Sequence, residues 1–286
     1  MTTNTNTNTN KNKDASRTVL ITGAGAGLGE AMARRFATAG WSVIVADLDA
    51  ERARQVAETL TPGSRHVAMD VTDETAWQQL AALVREEYGQ LDALINNAGV
   101  ATGGTLEETS LEDWRWVMEI DLMGVVIGCK TFAPMMREQG SGHIINVASF
   151  AGFAAAPGIN AYGTAKAAVI ALSEMLRAEL ADAGVKVSAL CPAFVKTRLT
   201  ETMRAPDAGY QKRVERWMTQ SGVSADDVAE VVYRAVLKPR FLLLTHANTR
   251  WLWRLRRWFP ELYFRILMRS ARKMESRRAK SSRKAR

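Results

Sequence analysis

Seven short apolar runs punctuate the chain, at residues 18–22, 41–46, 65–69, 93–95, 143–147, 185–190 and 241–245. They are rich in β-branched residues and bounded by turn formers, so each predicts a buried strand. Between them apolar positions recur at helical spacing over 28–39, 50–60, 74–88, 111–137, 161–183 and 225–237. Two of these stretches open on a capping signal, Ser110 with Asp113 and Ser224 with Asp227. Strand and helix alternating in this way imply right-handed β-α-β crossovers. The expected fold is α/β, a doubly wound parallel sheet of about seven strands with helices on both faces.

Outside that pattern lie two segments of different character. Residues 1–14 are a low-complexity Thr/Asn stretch, expected to be disordered and unlike a secretory signal. Residues 248–286 form a basic, aromatic-rich extension, leaving 15–247 as the expected catalytic domain. No run of eighteen apolar residues occurs, so no membrane span is expected and the chain reads as cytoplasmic.

Charge sharpens this division. The net charge of +8 arises unevenly: residues 250–286 hold fourteen Lys/Arg and two acids, while the rest holds 24 basic and 28 acidic groups. A mildly acidic body therefore carries a strongly basic tail, the pattern of an appended interaction segment. Two cysteines, Cys129 and Cys191, cannot make a disulfide framework. The scattered His66, His143 and His246 suggest no metal site.

The first predicted strand runs into Thr22-Gly23-Ala24-Gly25-Ala26-Gly27-Leu28-Gly29, and a helix follows. Glycines allow a tight turn and close approach of backbone to a pyrophosphate, which the unpaired N–H groups of the next helix then receive. Between a first strand and a first helix this turn predicts dinucleotide binding. Asp47 ends the second strand, 18 residues beyond Gly29. A carboxylate there accepts from ribose hydroxyls and repels a 2′-phosphate, and Leu48 stands where a phosphate-binding Arg would be useful. Both favour NAD(H) over NADP(H). Tyr162 and Lys166 fall at i and i+4 on one helical face, where the ammonium favours the phenolate. Ser149 ends the fifth strand, on the side where open α/β sheets bind ligands.

Taken in order, Thr22–Gly29, Asn96-Asn97-Ala98-Gly99, Ser149, the Y-x-x-x-K of Tyr162 and Lys166, and Pro192-Ala193-x-x-x-Thr197 resemble the short-chain dehydrogenase/reductases from about residue 17 to 245. The resemblance implies a Rossmann-type domain and hydride transfer between nicotinamide and a carbonyl or alcohol carbon. It implies Tyr162 as general acid/base, Ser149 orienting the substrate oxygen, and Lys166 lowering the Tyr162 pKa while holding the nicotinamide ribose. Gly23, Gly25, Ala26, Gly27, Leu28 and Gly29 would hold the phosphates, with Asp47 and Leu48 at the ribose. Asp70 and Val71 would contact adenine, and Asn97, Ala98 and Gly99 would line the cofactor. Pro192, Val195 and Thr197 would meet the carboxamide. Two residues depart from the family pattern: Asp121 replaces an Asn that helps hold a relay water behind the lysine, and Ala193 replaces a Gly.

The expected substrate is a small lipophilic ketone or alcohol, its pocket built from Phe150, Phe153, Met203 and Trp217 under a lid formed by 198–223. The expected assembly is a homodimer or homotetramer through 111–137 and 161–183, with Ala165, Ala167, Ala168 and Ala171 offering close packing. Alternatives are a 3-oxoacyl thioester reductase, which Asp47 opposes, and a cofactor-binding recruiter with decayed chemistry. Six aromatic residues between Trp251 and Phe264 interleave with arginines, and Pro260 divides two short helices. This tail reads as a clamp over its own or a neighbour's lid, as an interfacial helix pair on anionic lipid, or, with no recognised motif, as a nucleic-acid contact. Packing of 249–269 on the lid, with 270–286 fraying, is expected.

Overall fold

The computed structural model describes residues 17–284; for residues 208, 247 and 273–284 it describes backbone alone. The expectation of disorder at 1–14 lies outside the described residues.

Seven strands form one parallel sheet: β1 (Thr18–Thr22), β2 (Ser42–Asp47), β3 (Arg65–Ala68), β4 (Ala93–Asn96), β5 (Gly142–Val147), β6 (Val185–Cys191) and β7 (Leu242–Leu244). Their order is β3-β2-β1-β4-β5-β6-β7, so the chain walks outward from β1, returns, and walks outward the other way. The reversal lies between β1 and β4. Loops leaving their carboxyl ends diverge there and open a crevice.

Both faces of the sheet are covered over β1, β2, β4, β5 and β6, which explains their continuous apolar runs; β3, expected to be buried, is instead a largely exposed edge strand, and β7 at the other edge is half-buried. Val19, Ile21, Val43 and Val45 meet α1 (Gly27–Thr38), α2 (Ala50–Glu58) and α9 (Ala225–Leu237). The intervening Leu20 and Ile44 face the opposite core with α3 (Glu74–Glu87), α5 (Gly124–Gln139) and α7 (Asn160–Glu179). Trp77 is fully buried in that second core, edge-on to Phe132 at 6.2 Å, and its Nε1 donates to the Val71 carbonyl at 2.9 Å. An indole of that size is buried without penalty because its one donor is satisfied.

Three details differ from the sequence expectation. Residues 111–137 are not one α-helix: α4 (Leu111–Met118) passes through a π-helical turn, Glu119–Met123, into α5. The i→i+5 turn inserts extra backbone and re-aims the side chains it carries. The four-residue α6 (Ala151–Ala154) follows Ser149, and the segment 198–223 contains α8 (Ala208–Thr219).

The tail forms α10 (Ala247–Trp258) and α11 (Pro260–Lys284), broken at Pro260 as expected, with α11 continuing past the point where fraying was expected. It is seated on α6 as well as on the core, a correction to the expected packing on the 198–223 lid. Tyr263 is buried and donates to the Ala154 carbonyl at 2.7 Å, Arg256 donates to the Phe153 carbonyl, and Trp253 packs against the second core. These polar anchors reach the loop after β5, and the helix faces follow from them. Among the described residues, no helix is long and apolar enough to cross a membrane.

Candidate active site

The glycine turn sits at the crevice, between β1 and α1. Gly23 and Gly27 adopt left-handed φ values of 61° and 58°. A Cβ on Gly29 would lie 2.2 Å from the Gly23 carbonyl oxygen, so only glycine lets α1 start this close to the strand. No side chain caps α1, whose N-cap is Ala26. The first-turn N–H groups therefore remain as donors for an anion, with the positive end of the helix dipole behind them.

Neighbouring residues brace this turn. Thr22 Oγ1 accepts from the Asn97 and Ala98 amides at 2.9 and 3.0 Å, and Asn97 Nδ2 donates to the Thr22 and Gly23 carbonyls at 2.8 and 3.1 Å. The side chain of Asn97 is thus committed to holding β4 against the turn. Asp47 Oδ2 accepts from the Gly25 amide at 2.8 Å and Oδ1 from the Asp49 amide at 3.0 Å. Each carboxylate oxygen keeps a further lone pair, so the contact leaves room for ribose hydroxyls. Leu48 is exposed beside it. At the end of β3, Asp70 Oδ1 accepts from the Thr72 amide and hydroxyl, and Val71 is buried against Gly124. The loop after β6 crosses the far side: Pro192 and Val195 are buried, and a Cβ on Gly27 would lie 3.4 Å from the Thr197 side chain.

Ser149, Tyr162, Lys166 and Asp121 converge at the end of β5. Lys166 is buried, donating to the Val147 carbonyl at 3.0 Å and lying 3.1 Å from Asp121 Oδ2. Its Nζ is 5.9 Å from the centre of the Tyr162 ring. Asp121, fully buried on the π-helical turn, also accepts from the Val100 amide at 2.8 Å through Oδ1. Gly99 makes room for this pair, since a Cβ there would fall 3.2 Å from Asp121 Oδ1 and 3.3 Å from Lys166 Nζ. At the position of the family's Asn, the carboxylate meets the lysine directly.

Electrostatics at this cluster oppose one another. Burial pushes the Tyr162 phenol up; the Lys166 ammonium and the Ser149 hydroxyl draw it back, and the Asp121 carboxylate adds to the rise. Burial disfavours the Lys166 charge too, but Asp121 and Tyr162 more than offset this and hold its pKa above the ordinary lysine range. Burial raises Asp121 against the pull of Lys166. Lysine has three N–H donors; one goes to the Val147 carbonyl, and beside the ion pair with Asp121 donor capacity remains for a bound molecule.

A second layer of polar residues, missed in the sequence reading, fixes the helix that carries Tyr162 and Lys166. Asn96 Nδ2 donates to Asn146 Oδ1 at 2.8 Å, Asn146 Nδ2 donates to Ser173 Oγ at 3.0 Å, and Ser173 Oγ donates to the Val169 carbonyl at 2.7 Å. All three side chains are buried, so α7 is keyed to β4 and β5. Their signal was visible: polar residues inside apolar runs.

The substrate-side residues are less uniform. Phe150 and Phe153 stack edge-to-face at 4.9 Å, with Phe153 buried in the core, while Trp217 leans on Phe194 at 5.5 Å. Met203 is half-buried next to Arg204, whose carbonyl accepts from the Gly103 amide at 2.8 Å. Tyr210 donates to the Gly158 carbonyl at 2.5 Å and its ring covers Gly103. The loops after β4 and β5 and the start of α8 are thereby stitched into one wall, a role the motifs did not reveal for Gly103, Arg204 or Phe194.

Residues 17–208 match the family model for short chain dehydrogenase. The chain is 35% identical over 229 residues to 1-deoxy-11-beta-hydroxypentalenate dehydrogenase of Streptomyces exfoliatus, covering 78% of this chain and 80% of that one. It is 39% identical over 205 residues to meso-2,3-butanediol dehydrogenase of Serratia marcescens, covering 71% and 80%. A short chain dehydrogenase/reductase of Burkholderia phymatum, solved in complex with NAD, superposes with a TM-score of 0.81 at 34% identity, over 86% of this chain and 95% of that one.

Proposed function

The chain belongs to the short-chain dehydrogenase/reductase family, and from that premise we propose that it is an NAD(H)-dependent oxidoreductase interconverting a secondary alcohol and a ketone on a lipophilic substrate. The observation that carries this reading is the convergence of Ser149, Tyr162 and the buried Lys166 at the crevice lined by the glycine turn. The two dehydrogenase relatives and the NAD-bound neighbour support it.

The site fits a dinucleotide: an uncapped helix start, a turn that tolerates no Cβ at Gly29, and a strand-end carboxylate. The turn from Gly23 through Gly25, Ala26, Gly27 and Leu28 to Gly29 would hold the pyrophosphate, and Asp47 the adenosine ribose. Asp70 and Val71 would flank adenine, and Ala98 and Gly99 the underside. Lys166 would hold the nicotinamide ribose, and Pro192, Val195 and Thr197 the carboxamide. When bound, the cofactor supplies or accepts the hydride.

The chain's own residues handle the substrate oxygen and its proton. Ser149 donates to that oxygen and fixes it beside Tyr162. In the reducing direction Tyr162 gives its phenolic proton to the oxygen; in the oxidising direction its phenolate takes one. Lys166 stabilises that phenolate, against burial and the Asp121 charge. Asp121 acts as a positioning residue, holding Lys166 from behind while moderating its field. The wall around Phe150, Met203 and Trp217 supports a lipophilic substrate.

We also propose a homodimer or homotetramer through α4, α5 and α7. On α7, Thr164, Ala168, Ala171 and Met175 supply an accessible stripe at helical spacing; Ala165 instead points into the core. The testing experiment is NADH and NADPH oxidation by the purified protein across aliphatic, aryl and alicyclic ketones, with the reverse reaction on the matching alcohols. Turnover with NADH is expected. Preference for NADPH, or activity on acyl thioesters alone, would overturn the reading.

A further inference from the structure

The C-terminal helices present two faces, and only one is used by the fold. Trp253, Arg256 and Tyr263 point into the body, where Tyr263 and Arg256 bond the carbonyls of Ala154 and Phe153. The outer surface is aromatic. Trp251 is 59% exposed, Trp258 72% and Phe259 61%, and Leu262, Phe264 and Ile266 are also exposed. Trp251 and Trp258 stand seven residues apart and so share one face of α10. Arg250 and Arg254 lie beside that face, both exposed and without an ion-pair partner among the described residues. On α11, Leu262 and Ile266 share a stripe flanked by the exposed Arg265 and Arg269.

We propose that this outer surface of α10 and α11 is a peripheral docking face for anionic lipid. Exposed indoles beside arginines suit the headgroup boundary, where the ring meets acyl chain and the guanidinium meets phosphate. Charge complementarity selects the occupant. Residues 250–286 carry fourteen Lys/Arg against two acids, so a second copy of the same face would be repelled and an anionic bilayer attracted. Insertion across the bilayer is not what this face supports, since no helix among the described residues is long and apolar enough to span one. Anchoring from inside also matters: Tyr263, Arg256 and Trp253 hold the helices in place before any lipid arrives, so little ordering remains to oppose docking. The α6 segment they hold begins two residues after Ser149, so the buried side of these helices, opposite the docking face, abuts the loop that carries that serine. Lipid binding as such is independent of the proposed chemistry.

The test is co-sedimentation of the full chain with vesicles of phosphatidylglycerol and phosphatidylcholine in equal parts, against pure phosphatidylcholine. Binding to the anionic vesicles alone, reversed by salt, is expected. Trp251→Ala with Trp258→Ala should weaken it more than tenfold with no change in size by light scattering. Arg250→Gln with Arg254→Gln should weaken it about twenty-fivefold, as each charge near such a surface strengthens binding about fivefold. Four results would overturn the proposal: no sedimentation at low salt; sedimentation indifferent to the tryptophan pair, which would assign it to charge alone; a smaller assembly in the tryptophan variant without lipid, which would make the face a subunit contact; or binding to duplex DNA tighter than to the anionic vesicles and lost in the same variants.

Discussion

Asp121→Asn isolates the charge of one buried carboxylate. The substitution keeps the side chain's size and leaves an oxygen to accept from the Val100 amide. It removes the anion 3.1 Å from Lys166, whose Nζ is itself 5.9 Å from the centre of the Tyr162 ring. Those two distances put the carboxylate no more than 9.0 Å from the ring centre, and at an effective dielectric of about 20 a unit charge at that limit is worth about 2 kcal/mol. The sign follows from the charge: an anion disfavours phenolate, so its removal lowers the Tyr162 pKa. Alcohol oxidation needs the phenolate, so log kcat/KM rises with pH until Tyr162 has lost its proton. In Asp121→Asn that rising limb should move toward lower pH. The assay is initial-rate NADH formation across pH, using the best alcohol from the substrate panel, with NADH binding checked separately. Lys166 also loses its ion partner in this variant, so a lower Tm accompanies the shift. A limb that stays in place, or moves to higher pH, in a variant that still binds NADH would refute the electrostatic role.

Three further predictions come from other parts of the fold. Asp47→Ala removes the acceptor at the end of β2 and its repulsion of a 2′-phosphate, so Kd for NADH should rise while that for NADPH falls or holds; titration calorimetry with both cofactors reads this. Burial drives the His143 imidazole down to about 4 from 6.5, so the unfolded chain takes up a proton in that window that the folded chain refuses. Unfolding free energy should fall by about 3 kcal/mol as pH drops from about 6.5 to 4, and His143→Gln should flatten that slope in urea titrations. Cys129 is pushed up to about 12 by burial, and burial raises Cys191 further, so neither thiol should react with Ellman's reagent until the protein is unfolded.

The inner strands were legible because burial on both faces leaves a continuous apolar signature, and 18–22 coincides with β1 to the residue; the edge strand β3 was placed although it is largely exposed. The glycine turn, Asp47, Ser149, Tyr162 and Lys166 were legible because each sits at a strand end or on one helix face, where spacing translates directly into position. The π-helical turn at Glu119–Met123 was not, since an i→i+5 bond has no residue signature and the apolar period continues through it. The Asn96–Asn146–Ser173 network could have been suspected from polar residues in buried runs, but its pairing depends on strand register. The tail's helices and their break were readable; the face they bury was not. Aromatics occur on both sides of α10, and the choice rests on Arg256 and Tyr263 reaching two carbonyls that only the fold brings near.

The central claim is that Tyr162 moves the substrate proton at a site built for NAD(H). Its most direct measurement compares Tyr162→Phe with the wild type in single-turnover ketone reduction, with NADH affinity determined for both by fluorescence titration. The ring is kept, so NADH should bind with unchanged Kd while the rate falls by about 10²–10⁴-fold. A Phe variant that keeps a tenth of the wild-type rate, at equal NADH affinity, would contradict the account.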